Sequence, residues 1–153
     1  MVVGGLVAPS FSGFLPSIRV QKAGDGLIAT IEKARVDAAL TSRRFRIVFV
    51  KEPASYRLEY EPDPSGEPGT FRRLPGDWGA KNDLPEGVTF SQLEGAEAVT
   101  DSDGSGEALE FSPDGSASSL TITLAHENGR NVTIQVDPAT GRARVVEPEE
   151  ESK

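Results

Sequence analysis

Val20-Gln-Lys-Ala-Gly-Asp-Gly-Leu-Ile-Ala-Thr-Ile-Glu-Lys-Ala-Arg-Val-Asp-Ala38 decides the fold. Val20, Ala23, Leu27, Ile31, Ala34 and Ala38 recur every three or four residues, the spacing of one apolar stripe on an α-helix. Ile28 and Leu40 widen the stripe, and Ala34, Ala38 and Ala39 keep its later half thin enough for a sheet to approach closely. The pattern predicts a helix over 17–42, about 39 Å long at the usual rise. Gly24 and Gly26 flank Asp25, so a kink or restart capped by Asp25 is expected there. Arg43 and Arg44 fall where the helix should end, and the macrodipole favours cations at that end.

Upstream, residues 1–18 carry no charge, and Pro9 and Pro16 interrupt their apolar run. A secretory signal would open on a basic segment, and a spanning helix needs roughly 20 uninterrupted apolar residues. Residues 1–16 therefore read as the tail of an apolar segment whose start lies before Met1.

Downstream the period changes from helical to alternating. Phe45-Arg-Ile-Val-Phe-Val50 is β-branched and aromatic, and Tyr56, Leu58 and Tyr60 alternate with polar residues, so two strands are expected. Residues 62–85 are rich in Gly, Pro and charge and read as a long loop. That loop holds Trp78, expected to plug the edge of the core. Residues 87–93 read as another strand. Leu120-Thr-Ile-Thr-Leu124 and Val132-Thr-Ile-Gln-Val136 alternate cleanly and form a hairpin. A two-residue Asn128-Gly129 turn would place their apolar sets on opposite faces. An odd-length loop or a bulge is therefore expected, pairing Leu124 with Ile134 and Ile122 with Val136. His126 sits at the end of that hairpin and reads as structural. Residues 112–115 and 137–141 are turn sequences, the latter a type I turn closed by Gly141 in the left-handed region. Residues 142–146 form the last strand, and 147–153 an acidic tail. The chain thus divides into 1–16, the helix 17–42, an antiparallel β domain 43–146 and the tail 147–153. Helix first and hairpins after define an α+β fold.

Composition narrows function. With 153 residues the chain makes one ordinary domain. It has no Cys, which excludes disulfides, thiolate metal sites and Cys nucleophiles. A single His removes multi-His metal centres and most His-based catalysis, and no Ser motif accompanies it. No Gly-rich run joins a strand to a helix, so nucleotide binding has no support. No enzyme and no cofactor is expected. Asp101, Asp103, Ser105 and Glu107 present oxygens at alternate positions and resemble part of a calcium loop, but the remaining EF-hand spacing is missing, and a solvated hairpin tip is the expectation. Charge is unevenly spread. Of the net −8, residues 1–51 carry +5 and the remainder −13, which sets a basic helical part against an acidic sheet domain.

Pro9-Ser-Phe followed by a long helix ending near Ala-Arg-Val-Asp-Ala38 resembles the later part of a type IV pilin-like helix. Phe111-Ser-Pro-Asp-Gly115, the Thr-rich hairpin and Thr140-Gly-Arg-Ala-Arg144 resemble the GspH/FimT group of minor pseudopilins. The resemblance covers residues 1–50 and 86–146. It implies a structural subunit near the tip of a periplasmic pseudopilus in type II secretion. The helix would lie in the inner membrane before assembly and then contact other minor and major pseudopilins. A prepilin cleavage motif, a methylated amino terminus and more apolar sequence would precede Met1. Absence of Cys is compatible with the periplasm. The alternative is a type IV pilus minor pilin that binds DNA during uptake, through Arg142 and Arg144 on one strand face with Arg130 beside them. A soluble β domain with an unrelated helical arm is a further alternative.

Overall fold

The structure, a computed structural model, describes the backbone of residues 3–101 and 104–146 and the side chains of 18–100 and 104–146. Among the described residues one α-helix, α1 (Val3–Thr41), precedes ten strands. They are β1 (Phe45–Val50), β2 (Ser55–Tyr60), β3 (Arg72–Arg73), β4 (Asn82–Asp83), β5 (Val88–Glu94), β6 (Glu97–Asp101), β7 (Gly104–Phe111), β8 (Leu120–His126), β9 (Asn131–Val136) and β10 (Ala143–Val146). The first sheet runs β3-β2-β1-β7-β6, with β4 also on β2, and the second runs β10-β9-β8-β5. All pairings are antiparallel. The α+β expectation holds.

α1 packs against both sheets. All six stripe positions, from Val20 to Ala38, are buried, none more than 7% exposed. Leu27 and Ile31 meet Phe45, Ile47, Phe49 and Leu58 of the first sheet and Leu93, Ile122, Leu124 and Ile134 of the second in one core. Phe49 and Phe90 join the sheets edge to face, centroids 5.4 Å apart. Each fully buried aliphatic side chain contributes about 1.5–3 kcal/mol of transfer free energy, so this stripe holds the helix to the sheets.

Several expectations are corrected. α1 begins at Val3 rather than Ser17 and runs through Pro9, Pro16, Gly24 and Gly26 without a restart. A proline removes one helical hydrogen bond, and the rest of the ladder carries the helix past it. Gly24 and Gly26 mark close approach instead of a kink. A Cβ on Gly24 would lie 3.2 Å from Val132, and one on Gly26 would lie 3.4 Å from the Tyr56 hydroxyl. Leu40 does not widen the stripe. At 77% exposed it faces solvent, because seven residues beyond Lys33 it shares that residue's outer face. The last turn carries no cation. Ser42, at φ 56°, turns the chain out of the helix, which places Arg43 and Arg44 past its end.

The stretch 62–85 is more than a loop. β3 pairs Arg72 and Arg73 with Tyr60 and Glu59, and β4 pairs Asn82 and Asp83 with Tyr56 and Ser55, so the stretch closes the β2 edge. Trp78 lies in a short 3-10 turn, Asp77–Gly79. It does not plug the core. It is 42% exposed, with the Lys33 ammonium 5.8 Å from its ring centroid. The β8–β9 loop is odd-length as expected, but the register differs by two residues. Leu120 faces Val136, Ile122 faces Ile134 and Leu124 faces Val132. The His126 N–H donates to the Arg130 carbonyl, and Gly129, at φ 101°, completes the loop. A shift of two keeps every apolar side chain on the core face, so alternation alone could not separate the two registers. In the 137–141 turn the Gly141 N–H reaches the Asp137 carbonyl, a five-residue turn closed by Gly141 at φ 70°. The tail 147–153 lies outside the described residues.

Candidate functional site

The outer face of β1 and β2 carries a polar cluster that alternation would assign to solvent. Arg46, Arg57, Glu59 and Glu61 are all buried. Arg46 Nε donates to Glu59 Oε1 at 2.8 Å, and Arg57 Nε donates to Glu59 Oε2 at 2.8 Å. Arg44 bridges two acids, donating to Glu61 at 2.6 and 3.1 Å and to Glu110 at 2.9 Å. The Gly69 N–H donates to Glu61 Oε2 at 2.6 Å. Phe71 lies under both guanidinium groups, 4.2 Å from Arg46 and 5.6 Å from Arg44. The 62–85 stretch thus straps the sheet, and each carboxylate it covers keeps a charged partner. Hydrogen bonding to Arg44 holds the Glu61 carboxyl below the usual carboxylate range, against the opposing effect of burial. The same bond raises the Arg44 guanidinium. Sequence reading missed this cluster because its residues are scattered from Arg44 to Glu110; the spacing of Arg46, Arg57 and Glu59 is ordinary for an exposed face.

Against the helix, Tyr56 brings a phenol into the interior. Burial raises its pKa, and a hydrogen bond with Thr30 works the other way. Thr30 in turn donates to the Gly26 carbonyl at 3.0 Å.

Of the sites expected from sequence, Asp103 and the Asp101 side chain lie outside the described residues. The Ser105 and Glu107 oxygens are engaged elsewhere. Ser105 meets the Thr100 hydroxyl at 3.2 Å, and Glu107 meets Lys51 at 3.4 Å. The β6–β7 register pairs Asp101 with Gly104, so residues 104–107 belong to a strand instead of a turn. Among the described residues no group of three acidic or His ligands could hold a metal. His126 accepts the Asn128 N–H on Nδ1 at 3.1 Å, and its Nε2 is buried without a partner among the described residues. The ring lies over Gly87, where a Cβ would sit 2.6 Å from Nε2. It acts as a wedge at the foot of β5.

Arg142, Arg144 and Arg130 are exposed, but the structure does not bring the three together. Arg142 and Arg144 lie at and beside β10, and Arg144 Nη2 donates to Gln135 Oε1 at 2.9 Å. Arg130 lies in the β8–β9 loop, at the opposite end of β9, about 20 Å away along a six-residue strand. Among the described residues no helix is long and apolar enough to cross a membrane.

One long helix laid over two antiparallel sheets defines a pilin-like architecture, and comparison with known proteins refines it. A family model described as type II transport protein GspH matches residues 23–140. A structure of the minor pseudopilin EpsH from the type 2 secretion system of Vibrio cholerae superposes with a TM-score of 0.66 at 12% identity, covering 86% of this chain and 99% of that one. A crystal structure of the same minor pseudopilin gives 0.66 at 14% identity, over 89% and 99%. The type IV minor pilin FimU of Pseudomonas aeruginosa gives 0.52 at 18% identity, over 84% and 88%. No curated protein sequence matches the chain. The chain belongs to the GspH family and is a GspH-type minor pseudopilin of type II secretion.

Proposed function

We propose that this subunit works in the periplasm, near the tip of a pseudopilus, as a structural and not a catalytic component. Its helix inserts among the helices of other minor and major pseudopilins, after residing in the inner membrane. The supporting observation is the division of α1. It spans 39 residues, about 58 Å at the usual rise, and its first described core position is Val20. About 22 Å of helix, residues 3–17, lies upstream of the buried stripe from Val20 to Ala38. The DNA-uptake reading is not adopted, because Arg130 is remote from Arg142 and Arg144 and the net charge of residues 52–153 is −13.

The chain has no Cys, so a single introduced thiol reports contacts without background. Leu6→Cys or Phe14→Cys, labelled through its thiol with a maleimide that carries a photoactivatable group and assembled with the other pseudopilins of its own system, is expected to cross-link to one of them on illumination, and loss of the chain is expected to retain exported proteins in the periplasm. Undiminished secretion without the chain, or no cross-link from any position in 3–17, would overturn the reading.

A further inference from the structure

The second sheet ends on β10, which pairs with β9 on one side and with no described strand on the other. The register shows which backbone groups are left over. The Asp137 N–H donates to the Arg142 carbonyl. By the alternation of an antiparallel ladder, the N–H and C=O of Arg144 and Val146 then face β9, while those of Ala143 and Val145 face outward. Side chains alternate on the same period. Val145 lies opposite the fully buried Ile134, on the core side, yet is 46% exposed. Arg144 lies opposite Gln135, on the other side.

The other edges are guarded as exposed edges usually are. β5 has a register shift between Phe90 and Gln92. β6 carries Glu97 and Asp101, and β3 has only two residues. β10, Ala-Arg-Val-Val, is short too, but its one charge is the cation Arg144, and it has no Pro, bulge or acid. Exposed Arg142 and Arg144 put two cations on this edge, ahead of the acids Glu147 and Glu149 to Glu151 in the chain.

We propose that β10 receives an extended segment of a partner protein in which acidic and apolar residues alternate, adding a fifth strand to the second sheet. The outward N–H and C=O groups of Ala143 and Val145 supply the ladder. The partner's acids lie beside Arg144 on one face, and its apolar residues cover Val145 on the other. A second copy of β10 fits poorly, because it would bring arginines against arginines. The inference rests on the edge alone and stands whether or not α1 assembles as proposed above.

The test uses amide hydrogen exchange on the full chain, with the capped peptide Thr-Glu-Val-Glu-Ile-Thr as probe. In the free chain the Ala143 and Val145 amides are expected to exchange fast, and saturating peptide to slow them at least tenfold. Arg144→Glu is expected to weaken binding at least tenfold. Val145→Pro removes an N–H that points away from β9, so β8 and β9 amides should stay protected while binding is lost. The proposal falls if the two amides are already protected in the free chain, or if Val145→Pro binds normally. It also falls if a peptide of the same composition with its acids grouped binds equally well. Protection by a DNA duplex in place of the peptide, or a dimer that Val145→Pro dissolves, would overturn it too.

Discussion

At Glu61 a carboxylate is buried against Arg44 and the Gly69 N–H, and its pKa is lowered by the arginine. A lowered folded-state value means that the stabilisation is present in full above the unfolded value, about 4.3. It is lost as pH falls through the lower folded value. Urea unfolding of the wild-type chain at stepped pH from 7 to 3 is expected to show this acid loss, and Glu61→Gln to be less stable at pH 7 with a flatter acid limb. The core gives a second contrast. Ile31→Ala should cost about 2–5 kcal/mol, because Ile31 is fully buried. Leu40→Ala should stay within about 0.5 kcal/mol, because Leu40 is a surface residue. Chemical denaturation measures both. Leu27, Ile31, Ala34 and Ala38 were legible as core from spacing alone. Leu40 lies two positions past Ala38, about 200° round the helix, so the same spacing sets it opposite the stripe.

At the scale of elements, the helix is seated through small residues. Ala34 and Ala38 have no exposed surface, so the sheets lie directly over them. Ala34→Leu should force the helix outward and cost about 1–3 kcal/mol, read as a lower urea midpoint. The strap over the first sheet is a second element whose hold can be tested. Phe71 contacts both guanidinium groups. Phe71→Ala should lower stability by about 1–2 kcal/mol and speed proteolysis within 62–85, with the helix amides unaffected. Composition marked this stretch as Gly- and Pro-rich punctuation. Its two short pairings with β2 have no sequence signature, because two-residue strands are made by the edge they meet and not by their own alternation.

At the scale of the whole molecule, the buried stripe from Val20 to Ala38 holds the helix to both sheets, and a deletion of residues 1–16 leaves all of it in place. A chain lacking residues 1–16 should therefore keep a single cooperative melt within a few degrees of the full chain, while losing cross-linking to other pseudopilins. A large fall in Tm on that deletion would mean that the upstream helix supports the domain itself.

The amino-acid sequence by itself determined the α+β class, the helical stripe, most of the longer strands and the odd-length hairpin loop. These depend on local periodicity and on turn chemistry, which neighbouring residues carry. Only the tertiary structure decided the two-residue difference in the β8–β9 register, the burial of Arg46, Arg57, Glu59 and Glu61, the solvent-facing Trp78 and the separation of Arg130 from Arg142 and Arg144. A register shift of two preserves alternation, and a charged side chain is buried or exposed according to what a distant segment lays over it. Those outcomes are set by long-range pairing, which no window of sequence contains.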